Sequence, residues 1–219
     1  MKKAFFVSSS IAFMMLVALV SSCGPAAPAI ATVAASGLST LYNQGTGVYT
    51  SIAGSMTHYE FDLVDVSNDG GIASGNTECG HSDKKTPIVY SDDMINFSFR
   101  YVDNCLLLGL KSNTNKYLTI NWNDLALDEV GKLKWKEADS GASGVSTITK
   151  AAYNEANLYT YYDKRNGFYR TFEVFSSQAA ADKKGYVGKT FVLNVPIIQG
   201  DTVITYRIKL KIASITVEK

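Results

Sequence analysis

From about His58 onward, apolar residues recur at every second position along the chain. Tyr59, Phe61 and Leu63 alternate with polar neighbours, and Ile95, Phe97, Phe99 and Tyr101 do so against Asn96, Ser98 and Arg100. Leu118, Ile120 and Trp122 repeat the pattern, as do Leu133 and Trp135 between Lys132, Lys134 and Lys136. A period of two marks strands with one face buried and one face wet. Cys105–Leu110 is apolar on both parities, which predicts a central strand covered on both sides.

Two hairpins are signalled. Leu158–Asp163 and Phe168–Phe175 flank Lys164-Arg165-Asn166-Gly167, and Asn-Gly is a strong hairpin cue. Phe191, Leu193, Val195 and Ile197 face Ile204, Tyr206, Ile208, Leu210 and Ile212 across Gln199-Gly200-Asp201. The apolar parity of the last strand then switches to odd at Ile215 and Val217, which predicts a bulge near Ala213–Ser214. Pro196 has no N–H for a ladder and favours an edge position. Helix signals are few: Ser177–Lys184 before Gly185, and a turn or two over Ala151–Asn157.

About eight to ten strands in about 160 residues, with only short helices, define a mainly-β domain, residues 57–219. An antiparallel β-sandwich is the expected architecture, with a lipocalin-like β-barrel as the alternative.

The first residues follow another rule. Lys2 and Lys3 precede an apolar stretch, densest at Ile11–Val20 and too short to span a bilayer, so residues 1–22 read as an export signal. The run Val20-Ser21-Ser22-Cys23 resembles the lipobox of bacterial lipoproteins, with Val20 in place of the usual Leu and Ser22 in place of Gly or Ala. The resemblance implies cleavage before Cys23, which becomes the N-terminus and carries diacylglycerol and fatty-acyl chains such as palmitate. Residues 23–56 then form a lipidated N-terminus and tether. Within it, Ala29–Tyr42 is either a short helix or a stalk. Ordinary signal cleavage near Ala26–Ala29 is the alternative. The lipoprotein reading places the protein in the bacterial cell envelope, on the outer membrane, with more than one acyl chain for stable anchoring.

Export also bears on the cysteines. Cys79 and Cys105 would lie in an oxidising compartment, and a disulfide between them would contribute about 3.5 kcal/mol. A metal site from Glu78, Cys79 and His81 is the rival reading.

Charge excludes one class of partner. The chain has 21 Lys+Arg and 20 Asp+Glu; without Lys2 and Lys3 the formal charge is −1. No basic excess is present for nucleic acid. Catalytic signals are thin as well. His58 and His81 sit in no motif, Gly141-Ala142-Ser143-Gly144 reads as a turn, and the carboxylates at Asp62, Asp65, Asp92, Asp93 and Asp103 read as turn or strand-end residues. No catalytic residue is assigned, and the chain reads as a non-enzyme.

Asp65-Val66-Ser67-Asn68-Asp69-Gly70-Gly71-Ile72 resembles the first half of a calcium-binding loop, with Asp65, Ser67 and Asp69 as oxygen donors. Its twelfth position is Asn76 rather than a bidentate Glu, and Glu78 falls two residues late. A polar turn is the simpler reading. Tyr153, Tyr159, Tyr161, Tyr162, Tyr169 and Tyr186 crowd the C-terminal half, interleaved with Lys164, Arg165 and Arg170. Exposed Tyr beside Arg is the composition of interaction surfaces, so Tyr159, Tyr161 and Arg165 are the candidate binding residues, for an unknown protein or glycan. Lys132, Lys134 and Lys136 form one basic row and Arg207, Lys209 and Lys211 another, one patch if their strands are neighbours. The expectation is an envelope lipoprotein with a binding or structural role. A hydrophobic-ligand carrier would need a barrel cavity, and an enzyme would need His58 or His81 beside a carboxylate or nucleophile in a cleft.

Overall fold

The alternating segments pair into two antiparallel sheets that share one core. A computed structural model of the protein describes residues 56–136, 142–163 and 168–218. The segments read from sequence as an export signal and tether, up to residue 55 and including Cys23, lie outside the described residues, as does Arg165. In chain order, the first strands are β1 (Met56–Asn68), β2 (Asn76–Cys79), β3 (His81–Ser82), β4 (Ile88–Ser91), β5 (Ile95–Val102) and β6 (Cys105–Ser112). Next come β7 (Leu118–Asn121), β8 (Ala126–Leu127), β9 (Gly131–Lys132), β10 (Lys134–Trp135), β11 (Val145–Ile148) and β12 (Asn154–Tyr159). The hairpin β13 (Tyr161–Asp163) and β14 (Phe168–Arg170), helix α1 (Gln178–Lys184), β15 (Thr190–Gln199) and β16 (Thr202–Glu218) complete it.

One sheet runs β11-β7-β15-β16-β1-β3, with β8 and β9 attached beside β15; the other runs β10-β12-β6-β5-β4-β2. The inward residues form a single cluster. Phe61 of the first sheet meets Phe99 of the second edge-on, centroids 5.6 Å apart, and Tyr59 meets Tyr101 at 4.9 Å. Both sheets stay open, so the fold is a sandwich and the barrel alternative falls away.

Local rules explain several details. β1 and β16 pair as Glu60↔Ser214 and then Phe61↔Ile212, leaving Ala213 as the extra residue of a bulge where the apolar parity changes. A second irregularity lets Val64 bulge from β1. Pro196 stands on a central strand rather than an edge. Its neighbour on one side is interrupted there, because β8 pairs with Leu193 and Asn194 while β7 resumes at Ile197. Helix α1 is capped by the Ser177 hydroxyl, which accepts from the Ala180 N–H, and stops at Gly185 in the left-handed region, φ +60.

Four further sequence expectations are corrected. Ala151–Asn157 does not turn into a helix. Its second half is β12, where Ala156 and Leu158 enter the core and pairing with β6 overrides a weak local preference. The row Lys132–Lys136 is not one strand, because the chain switches sheets at Leu133: β9 belongs to the first sheet and β10 to the second. β6 is central, yet its outer side is only partly covered. Tyr153 and Glu155 lie over Gly109, where a Cβ would stand 3.2 and 3.3 Å from them, and Leu107 is half-buried.

The fourth correction concerns Cys79 and Cys105, which are not joined. Cys79 aligns through Val89 and Ser98 with Gly109, three strands away and four residues along β6 from Cys105. Strand spacing and rise put the two Cα atoms about 14 Å apart across the sheet and about 14 Å apart along it. A disulfide tolerates no more than about 7 Å. Cys79 Sγ instead lies 3.1 Å from the His81 carbonyl oxygen, and buried Cys105 sits beside Tyr101.

Candidate functional site

The sandwich has two unlike ends. At the entry end the chain comes into β1 at Met56; at the turn end lie the connections 69–75, 92–94, 113–117 and 200–201. The tyrosine-rich hairpin belongs to the entry end. β12 finishes at Tyr159 alongside the start of β6. Thr160 then breaks the strand, its N–H donating to the Arg170 carbonyl at 3.1 Å. β13 and β14 form a small sheet of their own, Tyr161↔Arg170, Tyr162↔Tyr169 and Asp163↔Phe168.

This register sorts the tyrosines. Tyr162 stacks on Tyr169 at 4.4 Å, and Tyr169 meets Tyr159 edge-on at 4.6 Å with Lys136 Nζ 5.2 Å from its ring centroid. That side of the hairpin packs on the body. On the other side Tyr161 is 45% exposed, and the Arg170 guanidinium lies over its ring at 4.2 Å. A guanidinium over a ring still carries several N–H donors for an acceptor. Tyr161 is therefore a surface residue as expected. Tyr159 is not: it is 1% exposed, a core ring one residue beyond Leu158. Arg170 was missed as the partner of Tyr161. The signal was present, because centring a hairpin on residues 164–167 places 161 opposite 170.

Beneath the hairpin, Tyr59, Tyr101, Phe172 and Phe191 pack ring against ring. The Tyr59 hydroxyl donates to the Glu173 carbonyl, and burial raises its pKa well above the usual phenol value. Tyr101, also pushed up by burial, has a hydroxyl with no hydrogen-bond partner among the described residues.

The calcium-like segment does not curl around a site. Asp65 and Ser67 lie on extended β1 opposite Lys209 and Arg207, and Asp69 Oδ1 accepts from the Thr205 N–H at 2.7 Å. Asp65 and Asp69 are separated by about 13 Å of extended chain, whereas a calcium ion needs its oxygens converging at 2.3–2.6 Å. Among the described residues no group of three or more His, Cys, Asp or Glu is arranged to hold a metal ion. That covers Glu78, Cys79 and His81 as well.

The two basic rows do not merge. Arg207, Lys209 and Lys211 run along the middle of the first sheet facing β1, with Lys211 3.0 Å from Asp62 and Arg207 3.8 Å from Asp128. His81 Nδ1 lies 2.9 Å from Asp62, and its Nε2 lies 4.0 Å from Glu60. The hydrogen bond from His81, with Lys211 second, holds the Asp62 carboxyl below its usual range. Ser214 donates to Glu60 at 2.6 Å rather than to His81, so this is an ion network on an open sheet face, not a nucleophile–base pair. His58 Nε2 lies 3.4 Å from Glu218, whose carboxyl is held low by Lys84 and then by His58.

At the turn end, two clefts of about 350 and 320 Å³ share Ala73 and Asp93. Their walls are mostly polar, with Glu78, Asp93, Thr114 and Lys116 among them, and Lys116 donates to Gln199 at 3.3 Å. No protein-family model, curated protein or solved structure matches this chain.

Proposed function

We propose that the protein is a lipid-anchored envelope protein of bacteria that binds a partner through the outward side of the β13–β14 hairpin. The observation that carries the reading is the exposed Tyr161 ring under the Arg170 guanidinium, on a hairpin outside both main sheets. Rigid rings paired with Arg add contact area at low entropy cost, which is the chemistry of binding hot spots. The anchor rests on the lipobox-like run ending at Cys23. The carrier reading loses its premise, because the sheets do not close around a cavity.

Two measurements test the proposal. Native mass spectrometry of the mature protein, extracted from its own membrane, is expected to give an acylated chain beginning at Cys23. An unmodified chain beginning near Ala26–Ala29 would overturn the anchor. Crosslinking in intact envelopes is expected to trap a complex that Tyr161→Ala and Arg170→Ala abolish, with folding unchanged. Persistence of the complex in both variants would overturn the site.

A further inference from the structure

We infer that the outward side of the hairpin is a lipid-facing surface, and that its ligand is the anionic headgroup layer of a membrane. The inference rests on the hairpin reading above and names the class of its partner. Three observations carry it. The first is chemistry: the Arg170 guanidinium over the Tyr161 ring carries forked N–H donors suited to a phosphodiester, while the ring is apolar with a polar tip. Tyr beside Arg or Lys is the composition that settles at a membrane–water boundary. The second is charge. The hairpin sequence 161–170 carries Lys164, Arg165 and Arg170 against Asp163, a formal charge of +2 that suits an anionic surface.

The third observation is placement. The hairpin is at the entry end: Thr171, directly after β14, donates its N–H to the Asn104 carbonyl, and Phe172 packs against Tyr59, three residues into β1. A membrane anchor upstream of Met56 would therefore enter the domain beside this surface. An anchored domain meets the bilayer at a local concentration far above that in bulk, so a weak contact is enough to hold one face against the lipid. The turn end, with its polar clefts, would point away.

The experiment uses residues 48–219, a compact unit that carries every described strand and the core they share, so that binding is read without the lipid anchor. Vesicles of phosphatidylcholine alone and of phosphatidylcholine with phosphatidylglycerol are sedimented with the protein at low and high salt. Binding is expected to the anionic vesicles only, and to fall as salt rises. Arg170→Ala is expected to weaken it about fivefold, the size of one basic contact near an anionic surface. Tyr161→Ala should weaken it several-fold. Tyr117→Ala removes a ring 69% exposed at the turn end and should leave binding unchanged. Circular dichroism melts confirm folding of each variant. Equal binding to both vesicle types, or wild-type binding by both hairpin variants, overturns the inference. If the vesicles fail while those variants still abolish the crosslinked complex, the partner is a protein or glycan. The lipid inference then falls and the hairpin reading stands.

Discussion

The two ends of the sandwich are held by different balances of the same forces. At the turn end, side chains satisfy backbone groups one by one. Asp92 Oδ1 accepts from the Met94 and Ile95 N–H groups at 2.8 Å, and its other oxygen accepts from the Tyr206 hydroxyl at 2.9 Å. The Asn68 amide bonds both the N–H and the carbonyl of Ile72 at 3.0 Å, and the Gly75 N–H donates to the Tyr90 hydroxyl at 2.8 Å. At the entry end, ring packing dominates beside a few such bonds, as where the Thr57 hydroxyl donates to the Phe175 carbonyl at 3.0 Å and the Thr171 hydroxyl to the Leu158 carbonyl at 2.9 Å, and one buried hydroxyl, Tyr101, is left unbonded among the described residues. Polar caps fix the path of a turn atom by atom. Ring packing fixes a volume and leaves its outer surface free to carry something else, here Tyr161 and Arg170.

The largest way to test this contrast acts on both ends together. Burial raises the pKa values of Tyr59, Tyr90, Tyr101 and Tyr206 above the ordinary phenol value of about 10. The folded state therefore holds these protons more tightly than the unfolded chain. Its stability from this source is complete below about pH 10 and drains away as pH rises towards the folded-state values. Urea midpoints should hold constant between pH 7 and 9 and fall steeply above 10. A flat midpoint to pH 12 would contradict the burial.

Next in size, Phe172→Ala should cost about 3–5 kcal/mol, since it opens a cavity among Tyr59, Phe61, Tyr101 and Phe191. Asp92→Ala should cost about 2–3 kcal/mol through two lost caps and an unpaired Tyr206 hydroxyl. Asp92→Asn, which keeps an acceptor for the two N–H groups, should recover part of it. A finer comparison sets one tyrosine against another. Tyr206→Phe should cost about 1 kcal/mol, whereas Tyr101→Phe should be neutral or slightly stabilising, because no bond is lost. Equal losses would mean that the Tyr101 hydroxyl has a partner. Smallest of all, Tyr161→Ala should shift stability by about 0.5 kcal/mol or less in chemical denaturation. A loss above 2 kcal/mol would make Tyr161 structural rather than an open contact.

Much of the architecture was written in local pattern. The switch from Ile212 to Ile215 foretold the Ala213 bulge, Ser177 and Gly185 bracketed the helix, and two-residue alternation marked the long strands. These features depend on a residue and its near neighbours. What failed depends on distant partners. Nothing near Cys79 reveals that two strands separate it from Cys105. Nothing in Asp65–Asp69 reveals that β16 will hold the segment extended. Tyr159 and Tyr161 share a parity, so alternation assigns them one face. The break at Thr160 puts one in the core and the other in the open. The binding surface was legible as a stretch of tyrosines but not residue by residue, because its sorting is decided by the register of β13 against β14.

The pairing of β1 with β16 has a kinetic side. Met56 lies opposite Glu218, so the first strand of the domain waits for the last before either has its central neighbour. Such contacts close the longest loop the domain contains, and chains dominated by them fold slowly. A polypeptide emerging N-terminus first, from a ribosome or through a membrane pore, would have no means of finishing its larger sheet until the final seventeen residues of β16 were out. Premature closure is thereby ruled out by topology, and cutting the chain before Thr202 should leave β1 as an unpaired edge and the domain unable to complete.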